Sequence, residues 1–380
     1  MKTAVVILNW NTEGFLKDFL PGLISSVGKV DGAEVVVADN ASTDGSLDVM
    51  RQEFPGVKTI EFNKNLGFTG GYNKAFEVLY GSSDKQAEDA PKYFLLINSD
   101  IEVSENWLQP LVDWMDIHPD CGACAPKLHS WQQREMFEYA GAAGGYLDRF
   151  GYPFCRGRIL SRLEQDNGQY DEPADVLWAT GACLLIRSSV YAKLGGLDER
   201  FFAHMEEIDL CWRMQLEGWK VTVVPQSVVY HVGGGTLPAA SPFKTFLNFR
   251  NNLLMLENNL AKTLALKLHK EGKSAEQAAR KGLKKANTII SLRRALDGLA
   301  CLGYILTGKG KLAEAVEQAG AEYLKLRKPV SSEEIAGHLK EFGAKASVRG
   351  IYGKSMVIQS MLKGSGIHKA IKEKDFYKIG

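Results

Sequence analysis

A helix start rich in carboxylates is the first candidate for chemistry in this 380-residue chain. Glu206, Glu207 and Asp209 fall within four residues, at the start of a helix predicted over 205–217. Glu206 and Asp209 share one face of that helix with Arg213, whereas Glu207 points about 100° away. A carboxylate that is free to face a cleft can remove a proton from a hydroxyl group. We therefore take Glu207 as the candidate base, with Glu206 able to exchange roles with it and Asp209 as a further catalytic candidate. The alternative is an acidic helix start that the helix dipole stabilises.

Asp100 is the candidate metal ligand, because it follows a predicted apolar strand at 93–97 and Glu102 lies two residues further on. Mg²⁺ and Mn²⁺ prefer oxygen ligands and bridge them to phosphate groups. The alternative is that Asp100 caps a helix predicted over 104–117, although Ser104 is the better cap.

Polar side chains also follow other predicted strands. Asp39 opens the turn 39–46, where it could accept a hydrogen bond from a base or a ribose hydroxyl, and turn formation alone is the alternative. The glycine-rich segment 63–73 opens a helix, so its backbone N–H groups are expected to face an anion. His231 ends a predicted strand and precedes three glycines, which fits a metal ligand as well as a structural histidine.

These residues lie on an alternation of strands and helices. Continuous apolar runs predict buried strands, and apolar residues at helical spacing predict helices between them. The predicted strands lie at 4–8, 34–38, 59–62, 93–97, 176–186 and 221–230, and the predicted helices at 12–27, 47–54, 69–80, 104–117 and 205–217. This order implies an α/β fold with a mostly parallel sheet, right-handed crossovers and a ligand site at the carboxyl ends of the strands.

Length and charge divide the chain in two. Residues 1–240 carry 20 Lys+Arg and 33 Asp+Glu, a net charge of −13, whereas residues 241–380 carry 26 and 12, a net charge of +14. We expect one α/β domain over 1–240 and a basic helical region over 241–380. No apolar run is long enough for a transmembrane helix or a signal peptide, which predicts a cytoplasmic protein. Cys121 and Cys124 have metal or redox spacing, but no second pair lies nearby, so a buried, inert pair is predicted.

Six segments, taken together, closely resemble the family-2 glycosyltransferases, and within them the rhamnosyltransferase-like subgroup. The resemblance covers residues 3–240, with the segments in the family's order. They are Val5-Val6-Ile7-Leu8-Asn9-Trp10-Asn11, Asp39-Asn40-Ala41-Ser42-Thr43-Asp44-Gly45-Ser46, Asn65-Leu66-Gly67-Phe68-Thr69-Gly70-Gly71-Tyr72-Asn73, Leu95-Leu96-Ile97-Asn98-Ser99-Asp100, Thr180-Gly181-Ala182-Cys183-Leu184-Leu185-Ile186-Arg187 and Glu206-Glu207-Ile208-Asp209-Leu210-Cys211-Trp212-Arg213. Each segment is weak evidence alone, whereas the whole set is strong evidence.

The resemblance implies a GT-A fold, which is one nucleotide-binding α/β domain with a helical extension here, and it assigns roles to residues. The nucleotide-sugar contacts would be Asn9, Trp10, Asp39, Asn65, Gly71, Asn73 and Asn98, the metal ligands Asp100 and His231, and the base Glu207. Two residues depart from the family's usual pattern. Asn98 replaces the first Asp of the metal motif, which removes one charge from that site. Glu207 replaces an Asp, which lengthens the reach of the base by one methylene.

The function that the resemblance implies is inverting, metal-dependent glycosyl transfer. A rhamnose-like sugar or another hexose would move from a nucleoside-diphosphate donor to a glycan or lipid-linked acceptor in surface polysaccharide synthesis, with Mg²⁺ or Mn²⁺ as cofactor. Two other functions are alternatives. A sugar nucleotidyltransferase would need a Gly-rich loop with Arg or Lys after the first strand, where residues 9–14 read Asn-Trp-Asn-Thr-Glu-Gly. A non-catalytic carbohydrate- or lipid-binding module would be expected to lose the carboxylates at 100 and 206–209, which are all present.

The basic region 241–380 is expected to dock on an anionic membrane surface, at the inner face of the cell membrane. Its segment 292–307 is apolar after a basic start, and Lys281, Lys284 and Lys285 precede it. Basic residues add attraction to anionic lipids, and an apolar helix face adds burial among the headgroups. The alternative is a helical subdomain that packs on the catalytic domain or forms a homodimer. Nucleic acid is not an expected partner, because the region has no recognised binding motif and few aromatic residues.

Overall fold

The computed structural model describes residues 1–82, 85–86, 90–233, 241–377 and 379, which form two compact units. The first unit contains Met1–Gly145, Cys155–Phe202 and Lys220–Gly233. The second contains Tyr146–Phe154, Ala203–Trp219 and the described residues after 240. The division is therefore not a single cut at residue 240, because two earlier segments, one of them carrying the acidic helix, belong to the helical unit.

The first unit is built on one large sheet. Its strands are β1 (Thr3–Asn9), β2 (Ala33–Asp39), β3 (Lys58–Glu61), β4 (Tyr93–Ile97), β5 (Ile101–Val103), β6 (Cys121–Ser130), β7 (Ala174–Asp175), β8 (Cys183–Arg187) and β9 (Lys220–His231), and its helices are α1 (Glu13–Val27), α2 (Ser46–Glu53), α3 (Gly67–Tyr80), α4 (Leu108–Ile117) and α5 (Ser188–Lys193). The strand order is β7-β9-β6-β8-β4-β1-β2-β3, with β5 paired to β9. The unit's short elements are two-residue strands at Gly81–Ser82 and Lys85–Gln86, hairpin strands at Arg158–Ile159 and Arg162–Leu163, and a 3₁₀ turn at Glu199–Phe201. The strand Pro153–Cys155 falls on the division between the two units.

The α/β fold class is confirmed, with one difference in the sheet. Strands β3, β2, β1 and β4 are parallel, as expected, whereas β8 runs antiparallel to both β4 and β6. All five residues of β4 are buried, as a strand covered on both faces requires. Helices α1 and α4 bury apolar faces in the same core as the parallel strands, and this packing fixes the positions of the strands.

One sequence-based strand boundary was wrong. The strand predicted over 176–186 begins only at Cys183, because the backbone N–H of Val176 donates to Val221 and Trp178 bridges to Gly145 instead. The prediction for Cys121 and the neighbouring Cys124 is confirmed as far as burial goes, since both thiols are enclosed and burial raises the pKa of Cys121 to about 11.

The second unit is mostly helical. Its helices are α6 (Glu206–Leu216), α7 (Pro242–Lys270), α8 (Ala275–Leu306), α9 (Gly310–Leu326), α10 (Ser332–Phe342), α11 (Met356–Lys363) and α12 (Ile367–Ala370), with a parallel strand pair at Leu147–Asp148 and Ile351–Tyr352 and 3₁₀ turns at Gly364–Gly366 and Glu373–Asp375. Ser241, Ser274 and Ser331 cap three of these helices through side-chain hydrogen bonds. Helix α7 packs against α6, α8, α9 and α10. Within the described residues, every helix falls short of the length and apolar character that crossing a bilayer requires.

Candidate active site

The loops after β1 and β2 are joined by a buried hydrogen-bond network around Asp39. Asn9 Nδ2 donates to Asp39 Oδ2 at 2.8 Å and to Ser42 Oγ at 3.0 Å, and the Ser42 N–H donates to Asp39 Oδ1 at 2.9 Å. Asn9 and Asp39 are almost fully buried, whereas the Trp10 ring is 40% exposed. The structure thus brings Asn9 and Asp39 together as expected, and leaves an aromatic ring beside Asn9 in sequence that is open to stacking.

Asn40, which the sequence-based site did not include, ties a third loop to the same strand ends. Its Oδ1 accepts from the Leu66 N–H at 2.8 Å, and its Nδ2 donates to Asn65 Oδ1 at 3.0 Å and to the Gly67 carbonyl. Asn65 is exposed, so it lies at the rim of this loop cluster. The signal for Asn40 was available in the polar turn after β2, but turn chemistry alone does not say which side chain points across to a neighbouring loop.

The start of α3 is not a free anion site. The N–H groups of Phe68 and Thr69 donate to the Phe202 carbonyl, at 2.7 and 3.1 Å. A Cβ on Gly67, whose φ is +72°, would lie 2.4 Å from the Phe202 ring. The expectation that these two amides face an anion was wrong, because a segment more than a hundred residues away along the chain occupies them.

Gly71 and Asn73, which were expected to border the nucleotide, make packing contacts and hydrogen bonds within the protein. A Cβ on Gly71 would lie 2.6 Å from a methyl group of Leu8, so this glycine lets α3 pack closely on β1. Asn73 Oδ1 accepts from the Leu197 N–H and from the Tyr191 hydroxyl, while its Nδ2 donates to the Leu197 carbonyl and to a Glu199 carboxylate oxygen. Every hydrogen-bonding position of the Asn73 amide is therefore occupied within the protein.

Asp100 and His231 meet where β4 and β9 end. Their Oδ1 and Nε2 atoms are 3.2 Å apart, and both side chains are nearly buried. Glu138, which the sequence gave no reason to select, lies on the other side of the imidazole, with Oε1 3.4 Å from His231 Nδ1. Asn98 is partly exposed just before Asp100, with its backbone N–H donated to Ala182.

Asp100 does not cap a helix, and Glu102 does not share a site with it. The predicted helix at 104–117 begins only at Leu108, because β5 follows Asp100 directly and Ser104 Oγ donates to the Val228 carbonyl rather than capping a helix. Glu102 is paired with Arg134 at 2.8 Å, so its carboxylate is committed to a different contact. The capping alternative for Asp100 is thereby excluded.

The charge balance around His231 is set by its two carboxylate neighbours. Burial acts to lower the pKa of the imidazole, but Asp100 and Glu138 outweigh it and raise the pKa of His231 to about 10. The imidazole therefore holds a proton between two carboxylates. A metal-ligating histidine must be neutral, so a cation bound here would take the place of that proton.

Asp100 and His231 are the two residues here that could hold a divalent cation. Carboxylate oxygens are ligands that Mg²⁺ and Mn²⁺ prefer, and an imidazole nitrogen can bind a divalent transition metal. Their Oδ1 and Nε2 atoms lie 3.2 Å apart, so one ion could reach both. In the described part of the chain, no group of three or more His, Cys, Asp and Glu side chains is arranged to hold a metal. The pair therefore suits an ion that takes its other ligands from phosphate and water.

In the second unit, the backbone before α6 is strained and clamped. His204 and Met205 both have left-handed φ values, 70° and 72°, which non-glycine residues rarely adopt. Asn251 Nδ2 donates to the Ala203 and His204 carbonyls at 2.8 Å, and this buried amide on α7 holds the turn in place. Strain of this kind persists where surrounding contacts enforce it, and it is concentrated at functional sites.

Asp209 anchors α6 and has no exposed surface. Its Oδ2 accepts from Arg213 Nε at 2.7 Å, and its Oδ1 accepts from the amides of Asn258 and Asn259 at 2.9 and 2.7 Å. These bonds fix α6 on α7. The contacts give Asp209 a positioning role, because its carboxylate is used by the protein itself.

Glu206 and Glu207 differ from Asp209 in their unmet hydrogen-bonding capacity. Among the described residues, Oε2 of each glutamate is buried without a hydrogen-bond partner. Burial raises the pKa of Glu206 well above its usual value, and the neighbouring carboxylates of Glu207 and Asp209 add to the shift. Burial also raises the pKa of Glu207, but backbone amides at the start of α6 oppose it, and the result is about 7. Glu207 is the partly exposed member of the pair, whereas Glu206 is 4% exposed.

Comparison with known proteins identifies the family. The family described as Glycosyl transferase family 2 matches residues 4–195, which is more than half of the chain. The chain belongs to glycosyl transferase family 2. A second description, Glycosyltransferase like family 2, matches residues 134–293. The enzyme is thus a glycosyltransferase, as the resemblance of its motifs implied.

The relatives of this glycosyltransferase include rhamnosyltransferases. It is 28% identical over 235 residues to the N-acetylglucosaminyl-diphospho-decaprenol L-rhamnosyltransferase of Mycobacterium tuberculosis, which covers 60% of this chain and 75% of that protein. It is 23% identical over 229 residues to the rhamnosyltransferase WbbL of Escherichia coli, which covers 60% of this chain and 82% of that protein. In fold it is similar to GalNAc-T7, solved with UDP, GalNAc and Mn²⁺, with a TM-score of 0.52, 17% identity and coverage of 76% of this chain and 54% of that chain.

Proposed function

We propose that this enzyme transfers rhamnose or a similar hexose from a nucleoside diphosphate to a glycan or lipid-linked acceptor in surface polysaccharide synthesis. The mycobacterial and Escherichia coli relatives support the sugar class, since both are rhamnosyltransferases. The mycobacterial name also supports a lipid-linked acceptor, an N-acetylglucosaminyl-diphospho-decaprenol.

The observation that carries the mechanism is the environment of Glu207. A general base works best when its pKa lies near the working pH, because it must be ionised and still hold a proton firmly. Burial brings the pKa of Glu207 to about 7; the residue as a whole is partly exposed, and its Oε2 is buried without a hydrogen-bond partner among the described residues. Glu207 is therefore the residue that removes the proton from the acceptor hydroxyl as this oxygen attacks the anomeric carbon.

Glu206 and Asp209 support that base in different ways. Burial and the neighbouring carboxylates of Glu207 and Asp209 raise the pKa of Glu206 well above its usual value. Asp209 stays at the Arg213 and Asn259 anchor and fixes the orientation of α6. The sequence leaves either glutamate as the base, and the pKa of Glu207 supports the choice of Glu207 in this proposal.

The nucleoside is bound by the loops after β1 and β2. Asp39 has a buried carboxylate whose two oxygens each retain a lone pair after bonding Asn9 and Ser42, which suits a ribose hydroxyl or a base N–H. The exposed Trp10 ring suits stacking on the base. Asn65 borders this cluster. Gly71 and Asn73 contribute to packing within the protein, so this proposal does not include them among the nucleotide contacts.

Asp100 and His231 would hold Mg²⁺ or Mn²⁺, with Asn98 beside them and Glu138 orienting the imidazole through its other nitrogen. A cation at this place supplies positive charge that stabilises the departing diphosphate. The protein would contribute two ligand atoms, with the Glu138 carboxylate 3.4 Å from the other imidazole nitrogen.

Inversion follows from a single displacement. Glu207 acts on the acceptor hydroxyl, so the sugar is transferred in one step and its anomeric configuration is reversed. The anomeric coupling constant of the product in an NMR spectrum tests this step, and a retained configuration would contradict it.

The donor class is tested by a screen of nucleoside-diphosphate sugars that reads released nucleoside diphosphate, in Mg²⁺, in Mn²⁺ and in excess chelator. We expect a deoxyhexose donor to give the highest turnover and chelator to abolish it. The Glu207→Gln variant is the matched control for donor hydrolysis that does not depend on the base. A screen in which only a nucleoside triphosphate and a sugar phosphate react would favour the nucleotidyltransferase instead.

A further inference from the structure

The second half of α8 exposes a continuous apolar face. Its five leucines, with their exposed fractions, are Leu292 (52%), Leu296 (36%), Leu299 (64%), Leu302 (50%) and Leu306 (77%). At 100° per residue they fall within an arc of about 120° on one side of the helix. Soluble proteins rarely leave so long a row of leucines in water without a partner. We call this side of the helix the α8 face.

The α8 face is outward because the opposite side of the helix is anchored. Ala286, Ile289, Arg293 and Asp297 are buried on that opposite side. Arg293 donates to Asp297 Oδ1 at 2.9 Å and to Asn252, within the same unit. The leucines are thus held on a packed helix, so their exposure is a property of the folded unit.

The first half of α8 continues the same face with positive charge. Lys281, Lys284 and Lys285 lie within the same arc as the leucines and are exposed. None of the three forms an ion pair within the described residues. The α8 face is therefore basic over its first turns and apolar over its last ones.

The acidic residues of α8 do not offset that charge. Glu276 is paired with Lys340 at 2.7 Å, and Asp297 is buried against Arg293. They are the acidic residues in the sequence of this helix, and both lie off the α8 face. The three lysines are left as uncompensated charge on a region whose net charge is +14.

We propose that the α8 face docks the enzyme on an anionic membrane surface. Its lysines contact lipid phosphates, and its leucines enter the boundary between headgroups and acyl chains, where an amphipathic helix lies in the plane of the interface. From Leu292 to Leu306 the apolar part is about 21 Å long, since a helix rises 1.5 Å per residue. A second copy that pairs through its own α8 face is a poorer occupant, because an equally basic face offers those lysines no negative charge. The proposal is independent of the sugar and of the base assigned above.

The test is co-sedimentation of the full-length enzyme with vesicles of phosphatidylcholine, with and without phosphatidylglycerol, at low salt. We expect binding only when phosphatidylglycerol is present, and release as salt rises, because counterions screen the lysines. Two double variants of exposed residues, Leu299→Gln/Leu306→Gln and Lys284→Glu/Lys285→Glu, should each bind at least about tenfold more weakly.

Matched controls change as much surface elsewhere. Val78→Gln/Ile117→Gln removes two exposed apolar side chains from the first unit, and Lys29→Glu/Lys58→Glu reverses two exposed charges there. Both controls should bind vesicles like the unaltered enzyme, and all four variants should keep its circular dichroism spectrum. The proposal is overturned if the unaltered enzyme ignores anionic vesicles, or if the α8 variants bind as well as the controls. It is also overturned if the leucine variant only turns a dimer into a monomer while vesicle binding stays the same.

Discussion

The loop cluster around Asp39 and the start of α6 use carboxylates in opposite ways. Asp39 is surrounded by donors, since Asn9 and Ser42 bond both of its oxygens within 3 Å. Glu206 and Glu207 instead each keep a buried oxygen without a partner among the described residues. They follow a backbone turn that is held in left-handed conformations.

The difference separates binding from chemistry. A carboxylate that is hydrogen-bonded in advance is held in a fixed orientation, which suits recognition of a ligand with hydroxyl or N–H groups. A carboxylate that is buried without donors has a raised pKa and gains from taking a proton, which suits a base. Asp209, on the same helix, accepts hydrogen bonds from three side-chain donors, so an acidic residue of α6 is not left without donors in every case.

The largest expected effect is on Glu207. Glu207→Gln should lower the rate of sugar transfer by about 10³-fold, because an amide cannot accept the proton. Nucleotide affinity, measured by calorimetry, should change little, since a base acts on the transition state more than on the bound substrate. Glu206→Gln is the control, because it makes the same change one residue away and leaves the Glu207 carboxylate in place, so this variant should keep most of its activity. If Glu206→Gln is the inactive variant instead, the two roles are exchanged.

Loss of Asp100 should have the next largest effect. Asp100→Ala should reduce turnover by at least about 10²-fold, as expected when a group that stabilises transition-state charge is removed. Glu102→Gln, two residues away in the ion pair with Arg134, should stay close to the unaltered enzyme. Titration of Mn²⁺ by electron paramagnetic resonance checks the cause, since only the Asp100 variant should lose the bound ion. Full activity of the unaltered enzyme in excess chelator would contradict the role of the metal.

A smaller effect is expected at the loop cluster. Asp39→Asn keeps the size of the side chain but loses its charge and one acceptor, so nucleoside diphosphate should bind about tenfold more weakly. The rate at saturating donor should change less than the affinity. A normal affinity would mean that the network around Asp39 only shapes the loops.

The effect expected at Asn73 is on the stability of the fold. Asn73→Ala removes the bonds to Leu197 and Tyr191, so the free energy of unfolding in urea should fall by about 1–3 kcal/mol. Donor affinity of the folded variant should be unchanged. Weaker donor binding with normal stability would return Asn73 to the nucleotide contacts.

Much of the fold could be predicted because local patterns determine it. The apolar run of β4 is buried at every residue, and Asp100 and Glu207 were selected from their places at a strand end and a helix start. The parallel half of the sheet follows from the same alternation of strands and helices. What these features share is that neighbours in sequence carry the information.

The contacts that the sequence did not predict all involve segments far apart in the chain. Glu138 reaches His231 from 93 positions earlier in the chain, and Phe202 occupies the amides of α3 from a loop no local pattern connects with them. Asn251 clamps the turn before α6 from within α7. Asn251 is one of five asparagines in α7, so the sequence did not distinguish it, and a single glutamate in an irregular loop gave no signal for Glu138.

The central claim, that burial tunes Glu207 into the base, is tested most directly by the pH dependence of kcat/KM for sugar transfer. Because the pKa of Glu207 is raised to about 7, the base is protonated and inactive below that value and ionised above it. If Glu207 is the base, kcat/KM should rise tenfold per pH unit up to about pH 7 and stay constant above that pH. The Glu206→Gln variant should show the same limb. A profile that stays flat from pH 5.5 to 8.5, or a limb that disappears with Glu206, would contradict it.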